Sequence, residues 1–199
     1  MSPRNVEKDH QMREKRKQHI LDSALQAIAK NGIGSVHIND IAREAQLSVG
    51  NVYNYFKSKE EILSEVLSRG QEEYGLFVRS IAEISEMDPL DKLRNICSTW
   101  ISLSSNWAFT IMLQNVRTNE SVNVDIREAA TRRFTQNLQP ITAIMREGQM
   151  NGVILNEEPL ELAFYFVSLI QGLTLQRVPS YEIPVDIQVE TIIRLFSTK

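Results

Sequence analysis

The sequence predicts an all-α protein of about nine helices, with a small three-helix unit at the N-terminus and a larger helical unit after it. Apolar residues recur at three- and four-residue spacing along most of the chain, which is typical of amphipathic helices. Asn-Gly pairs and prolines interrupt these runs where helices end or begin. No stretch combines sustained apolar–polar alternation with turn signals, so we expect no β-sheet.

The composition narrows the class of protein before any motif is considered. The chain has 199 residues, a net charge of −3 and a single cysteine, Cys97, so we expect no internal disulfide and a buried, inert thiol. No apolar run reaches the roughly 20 residues of a membrane span, and the N-terminus lacks the apolar core of a secretory signal. We therefore expect a cytoplasmic protein. Residues 1–63 carry a net charge of +2 and residues 64–199 a net charge of −5.

The first helix follows a polar arm. Residues 1–12 contain Pro3 and show no apolar periodicity, so we expect this arm to be disordered. A basic cluster opens the helix: Arg13, Lys15, Arg16 and Lys17. The apolar face of the helix comprises Ile20, Leu21, Ala24, Leu25 and Ile28, and Asn31-Gly32 ends it.

Two short helices and the start of a third occupy residues 36–63. Their apolar faces are Ile38, Ile41, Ala42 and Ala45 for the first, and Val49, Val52, Tyr53 and Phe56 for the second. Because the connector is so short, the two helices must cross steeply, which is the helix-turn-helix arrangement. Ser48 suits the N-cap of the second helix, and a capping box of Ser58 and Glu61 starts the next helix at about Lys59.

The sequence of residues 48–63, SVGNVYNYFKSKEEIL, together with Ile41, Ala42 and Ala45, resembles the helix-turn-helix signature of the TetR family of transcriptional regulators. The resemblance covers roughly residues 16–67. One position departs from the family pattern, since His37 stands where Thr or Ser usually caps the first helix of the pair. The resemblance implies a DNA-binding domain over residues 13–58 and a helical domain over residues 59–199 that binds an effector and forms dimers.

The second short helix is the predicted reader of DNA. The candidates for contact with base edges are Val49, Gly50, Asn51 and Asn54. Asn hydrogen-bonds adenine and Val contacts the thymine methyl group, although each of these residues also fits an ordinary core or surface position. Gly50 either admits close approach of the backbone to DNA or is merely a permissive helix residue.

Other residues are predicted to contact the DNA backbone. The resemblance assigns Tyr53, Tyr55 and Lys59 to phosphates, with a core role as the alternative for Tyr53. The Ser48 hydroxyl either caps its helix or donates to a phosphate. Asn39 and Arg43 lie away from the apolar face of the preceding helix and suit the backbone or a flanking base. The basic cluster at residues 13–17 is either a solvated helix end or an arm that reaches DNA.

The remaining residues predict helices of a larger unit. The helix from Lys59 extends to Ile81 or Ile84, Pro89 opens the next helix, and a short helical segment holds Trp107. A long helix contains Pro140, where we expect a kink, and ends at Asn151-Gly152. Residues 159–175 form the most apolar helix, with two apolar stripes, and a final amphipathic helix contains Val189.

Two sites are expected in this larger unit. A cavity for a hydrophobic or amphipathic effector is predicted from aromatic and apolar residues, which equally suit an ordinary core: Trp100, Trp107, Phe109, Met112, Leu113, Phe134 and Phe166. The second stripe of residues 159–175 belongs either to a central core helix or to a dimer interface. The predicted dimer contacts are Leu162, Phe166, Leu169, Leu173, Val189, Ile193 and Phe196.

Catalysis is not expected. His10, His19 and His37 all lie near the N-terminus without metal-ligand spacing, and no phosphate-binding loop or nucleophile motif occurs. We expect no cofactor and no metal. The leading hypothesis is a homodimeric repressor that binds an inverted-repeat operator and leaves it when a small effector binds. The recognition helices of its two subunits would enter successive major grooves, roughly 34 Å apart or more. The alternative is a helix-turn-helix architectural or protein-interaction module without an effector.

Overall fold

A computed structural model describes residues 6–103, 105–179 and 182–198. Nine helices and no strand occur in these ranges: α1 (Val6–Asn31), α2 (Ile38–Glu44), α3 (Val49–Tyr53), α4 (Lys59–Ala82), α5 (Pro89–Ser102), α6 (Asn106–Thr118), α7 (Val124–Met150), α8 (Pro159–Leu175) and α9 (Val189–Arg194). A single isolated antiparallel bridge joins Ile154 to Ser197. The predicted all-α class with about nine helices is therefore confirmed.

The first helix is longer than the sequence predicted. It begins at Val6, so residues 6–12 of the expected disordered arm are helical, and residues 1–5 of that arm lie outside the described residues. Residues 7–12 are exposed. This extension therefore needs no apolar face, and the absence of apolar periodicity did not reveal it. Glu7 and Asp9 stand in its first turn, where negative charge complements the helix dipole.

The N-terminal helices pack on α6 as well as on α4. Ile20, Val52 and Phe56 share one hydrophobic cluster with Met112 and Val116 of α6. An ion pair between Lys17 of α1 and Glu65 of α4 adds a polar link. The sequence pattern did not indicate this contact with α6, because periodicity does not show which distant helix covers an apolar face.

Helix α4 is locked to α7 by side-chain contacts in its middle. Gln71 is buried, and its Nε2 donates to the Ala130 carbonyl at 2.8 Å. In return, Asn137 Nδ2 donates to the Gln71 carbonyl at 2.8 Å. Gly75 leaves space for this amide, because a Cβ there would overlap Asn137 Oδ1. Helix α7 itself runs unbroken through Pro140.

The predicted dimer contacts require a correction. Leu162, Phe166, Ile193 and Phe196 are buried within their own chain, and the Phe166 and Phe196 rings meet edge to face at 5.4 Å. A side chain already enclosed by its own subunit has no surface left for a partner. Leu169, Leu173 and Val189 are only partly buried. Both apolar stripes of α8 thus contribute to the core, but Leu160 and Phe164 of the first stripe are exposed, as is the neighbouring Tyr165.

Candidate nucleic-acid interface and ligand cavity

The turn between α2 and α3 has a defined geometry. Gln46 adopts a left-handed backbone conformation, with φ of 56°, and the Leu47 N–H donates to the Ala42 carbonyl at 2.9 Å. Ser48 Oγ then accepts the Asn51 N–H at 3.2 Å, so this hydroxyl caps α3. These local bonds place α3 directly after α2 and fix which of its sides faces outward.

The start of α2 is stabilised without the usual hydroxyl cap. His37 occupies the N-cap position, and its N–H donates to Asp40 Oδ2 at 2.9 Å. This bond, with Arg43 nearby, lowers the pKa of the Asp40 carboxyl. The departure at His37 therefore leaves the helix start intact, because Asp40 satisfies the free backbone N–H from within the helix.

The outer side of α3 is polar and open. Gly50, Asn51 and Asn54 are exposed, and Tyr53 is 53% exposed. By contrast, Val52 is fully buried and holds α3 on the three-helix unit. A Cβ at Gly50 would meet nothing within 4 Å, so packing within the chain does not require glycine there. The polar groups on this face are therefore accessible to a partner outside the chain.

The other predicted DNA-contact residues lie around this face and differ in their exposure and in their partners within the chain. Val49 and Tyr55 are half-buried, whereas Asn39 and Arg43 are exposed, and Arg43 pairs with Asp40 at 2.7 Å. Lys59 Nζ donates to the Ile33 carbonyl at 3.2 Å. An ammonium group has three donors, so Lys59 keeps capacity for a phosphate while it holds the loop before α2.

The basic start of α1 lies beside the same face. The Arg13 guanidinium stands over the Tyr55 ring, 5.0 Å from its centroid, and its Nη2 donates to the Asn54 carbonyl at 3.4 Å. Lys57, which the sequence analysis did not select, is exposed between Tyr55 and Lys59. Its position directly after the second helix of the pair, two residues before Lys59, was the available signal.

The larger unit contains a narrow cavity between α4, α5, α6, α7 and α8. About 30 Å³ of it is open to the centres of water-sized spheres, which is room for one or two waters. A wider groove of about 360 Å³ lies alongside, between α1, α4, α5 and α6. The lining of the inner cavity is Gln71, Tyr74, Ile96, Trp100, Phe109, Leu113, Phe134, Asn137, Leu138, Val167, Ile170 and Gln171.

The structure places the predicted pocket residues in two groups. Four of them line the inner cavity: Trp100, Phe109, Leu113 and Phe134. The other three, Trp107, Met112 and Phe166, are buried elsewhere, and this part of the prediction is corrected. Phe109 and Leu113 are four residues apart on α6 and share a face, whereas Met112 lies about 100° around the helix from Leu113.

The polar side of the cavity was not predicted from the sequence. Gln71, Asn137 and Gln171 were not selected, because amides on helices are usually surface residues. A signal was present at Gln71, which stands four residues after Leu67 in the apolar register of α4. Tyr74 was also missed, and its ring packs edge to face on Trp100 at 4.7 Å.

The described ranges offer neither a metal site nor a membrane-spanning helix. No group of three or more His, Cys, Asp or Glu residues suited to a metal is found in the described part of the chain. Within those limits no helix is both long and apolar enough to cross a membrane. His19 Nε2 hydrogen-bonds the Ala45 carbonyl at 2.9 Å, which gives this histidine a structural partner.

Comparisons with known proteins agree with this geometry. The family model described as bacterial regulatory proteins, tetR family, matches residues 20–66, which contain the second half of α1 from Ile20, all of α2 and α3, and the start of α4. The chain is 34% identical over 91 residues to the HTH-type transcriptional regulator LuxR of Vibrio harveyi, a match to 46% of this chain. That match spans 44% of the LuxR protein, less than half of its length.

Two further similarities extend over the helices that follow α4. The chain is 29% identical over 156 residues to the fatty acid metabolism regulator protein of Bacillus subtilis, covering 76% of this chain and 78% of that protein. A solved protein of Saccharomonospora viridis, in complex with choline, superposes with a TM-score of 0.69 at 26% identity, over 92% of this chain and 93% of that one.

Proposed function

Because residues 20–66 of this chain are a helix-turn-helix of the tetR family of bacterial regulatory proteins, we propose that the protein is a ligand-responsive transcriptional regulator. It acts as a homodimeric repressor in the cytoplasm, binds an inverted-repeat operator and leaves it when a small effector occupies the larger unit. It is a regulator and not an enzyme.

One observation carries the proposal: the polar, exposed face of α3. Gly50, Asn51, Tyr53 and Asn54 present short or hydrogen-bonding groups on a helix whose opposite side, at Val52, is buried. A recognition helix needs such a face in the major groove, with groups for phosphates on either side. Arg13, Tyr55 and Lys59 flank the face and supply those groups.

The effector part of the proposal is supported by the cavity and by the relatives. The cavity touches α4, which begins beside α3, so a change in its shape is transmitted to the DNA-reading unit. One relative is named for fatty acid metabolism and one similar structure holds choline, so small-molecule chemistry is associated with similar proteins. Ligand and DNA then favour different arrangements of α4, which is the coupling that regulation requires.

The dimer part of the proposal uses the exposed face of α8. Phe164 and Tyr165 are 45% and 51% exposed, and Ser168 and Gly172 continue the same face one and two turns later. An exposed apolar patch on a helix marks an interaction surface, and a two-fold axis would place the same face against itself. This face replaces the buried residues that the sequence suggested.

A gel-shift experiment at physiological salt tests the proposal. The probe is DNA from upstream of the protein's own coding region, with unrelated DNA as competitor. A discrete complex that survives the competitor is the expected result. Binding that any DNA removes, with a steep dependence on salt, would instead support the architectural alternative.

Variants separate phosphate contacts from base reading. Tyr53→Phe and Lys59→Ala remove backbone contacts and should weaken binding to all sequences about equally, by roughly tenfold or less each. Asn51→Ala should relax the preference at particular bases, at about 1–3 kcal/mol of discrimination. Competition with single-base operator variants measures both effects. An unchanged preference in Asn51→Ala would show that Asn51 does not read bases.

A further inference from the structure

Two polar atoms beside the inner cavity lack hydrogen-bond partners. Gln71 is only 3% exposed, and its Oε1 has no partner among the residues that the structure describes. Trp100 Nε1 is buried and likewise has none in those ranges. We propose that the cavity binds a neutral, largely apolar molecule that donates a hydrogen bond to Gln71 Oε1 and accepts one from Trp100 Nε1. This inference rests on the proposed function, because the molecule is the effector.

The orientation of the Gln71 amide follows from its neighbour. The Ala130 carbonyl can only accept, so the Gln71 nitrogen must be the atom that donates to it, at 2.8 Å. The oxygen is therefore the atom left over, and it can only accept. Burial without a partner is unfavourable for such a group, so a ligand that supplies a donor gains from this atom.

The second group has the opposite requirement. An indole Nε1–H can only donate, so Trp100 needs an acceptor. A hydroxyl or an amide offers both a donor and an acceptor, whereas a hydrocarbon offers neither. Apart from Tyr74, Asn137 and Gln171, the rest of the wall is apolar. Phe109, Phe134 and Leu113 are among its apolar members, and they suit a ligand with a flat or branched apolar body.

The charges around the cavity argue for a neutral ligand. None of the described residues that line the inner cavity is charged. In the outer groove the one basic residue of the lining, Arg69, is accompanied by Asp22 and Glu73. Arg117 lies over the Phe134 ring, 4.5 Å from its centroid, and is not part of the lining. A buried carboxylate or ammonium without a partner would pay a large desolvation penalty.

The path of the ligand leads past α4. Tyr74, Trp100 and Phe109 line both the inner cavity and the outer groove, so they stand between the two. The Phe109 ring lies against Gly70 of α4, where a Cβ would overlap it. Because the inner cavity holds only one or two waters, a larger ligand must displace these rings, and displacement of Phe109 changes its contact with α4.

Four probes of similar body and different polar group test the inference with the full chain. They are para-ethylphenol, ethylbenzene, para-ethylbenzoate and benzyltrimethylammonium, and calorimetry measures their affinities. We expect para-ethylphenol to bind at least tenfold more tightly than each of the others. Equal affinity for ethylbenzene, tighter binding of either ion, or no binding of any probe would overturn the inference, the last result leaving water alone at the two polar atoms.

Variants locate the binding. The chain has two tryptophans, so Trp107→Phe leaves Trp100 as the only indole and Trp100→Phe leaves Trp107. Para-ethylphenol should change the tryptophan emission of Trp107→Phe and bind it normally, whereas Trp100→Phe should lose about tenfold in affinity. Gln71→Met should lose a similar factor. Normal affinity in folded Trp100→Phe and Gln71→Met would contradict the assignment.

DNA binding is measured separately, by fluorescence anisotropy of a labelled operator without any probe. If the operator binds but no probe does, the inference fails and the regulator remains. If a probe binds as expected but no operator does, the cavity assignment holds and the proposed function fails.

Discussion

Gly50 lies on the exposed face of α3, and the structure shows whether packing within the chain requires glycine there. A Cβ at this position would meet no atom of the chain within 4 Å, so glycine is not required for packing. In a helix glycine is less favourable than alanine by about 0.5–1 kcal/mol. The proposed function gives such a residue a role, namely close approach of the helix backbone to DNA.

Gly50→Ala should therefore raise stability and weaken DNA binding together. We expect a gain of about 0.5 kcal/mol in the free energy of unfolding, measured by urea denaturation. Operator affinity should fall roughly tenfold, ~1.4 kcal/mol, because the added methyl group stands between the backbone and the groove. Unchanged operator affinity would mean that glycine here is merely permissive.

Cys97 illustrates a residue whose environment makes it inert. It is fully buried on α5, and burial raises the pKa of its thiol to about 11. The thiol therefore stays protonated at neutral pH, and the thiolate is the reactive form. Its surroundings favour a packing role over redox sensing.

Among the elements, α4 connects the N-terminal three-helix unit to the wall of the inner cavity. Its first turn holds Lys59 beside the N-terminal three-helix unit, and its middle holds Gln71 in the cavity wall. The Ala82 carbonyl in its last turn accepts a hydrogen bond from Lys92 of α5 at 3.1 Å. The buried Lys92 also pairs with Glu147 of α7 at 2.7 Å. Under the proposed function, a helix held at three points would transmit a shift at its middle to its N-terminal end.

Gly75→Ala tests the packing of α4 on α7. The added Cβ would overlap Asn137 Oδ1 and disturb the bond from this amide to the Gln71 carbonyl. Overpacking of this kind typically costs about 1–3 kcal/mol. Thermal or urea unfolding should therefore show a loss of that size, whereas the matched Gly50→Ala variant should show a gain. A neutral Gly75→Ala would mean that the two helices move apart easily.

At the scale of the whole molecule, the proposed dimer depends on the face of α8 that the core of the subunit does not cover. Burial of Leu162, Phe166 and Phe196 uses the most apolar sides of α8 and of the segment after α9. Phe164 and Tyr165 remain outside, with Leu160 partly exposed on the first turn of α8. Two such faces in contact would hold the two α3 helices at a fixed separation, which an inverted repeat requires.

Phe164→Arg should convert the proposed dimer to monomers, because two positive charges would meet across the two-fold axis. Sedimentation at micromolar concentration measures the change, and operator affinity should fall by at least tenfold. Leu76→Arg is the matched control, since Leu76 is an exposed apolar residue on α4. If Phe164→Arg keeps the mass of the wild type, the dimer contact lies elsewhere.

The class of fold and the DNA-reading motif could be predicted from the sequence because both depend on neighbours in the chain. A capping serine at Ser48 acts three residues away, at Asn51, and an apolar face repeats every three or four residues. These are local rules, so they predicted the helices and the short connector between α2 and α3 without knowledge of the rest. They also placed Tyr53 on the apolar face of α3, whereas the structure exposes it.

The partners of each apolar face depended on contacts between residues far apart in the chain. Periodicity marked two stripes on α8 but not which of their residues enter its own core, and it marked Phe109 and Met112 alike although only Phe109 lines the cavity. Gln71 meets Ala130 across 59 positions of sequence. Such contacts depend on the positions at which whole helices cross. These positions follow from the packing of the complete chain, and local sequence patterns do not reveal them.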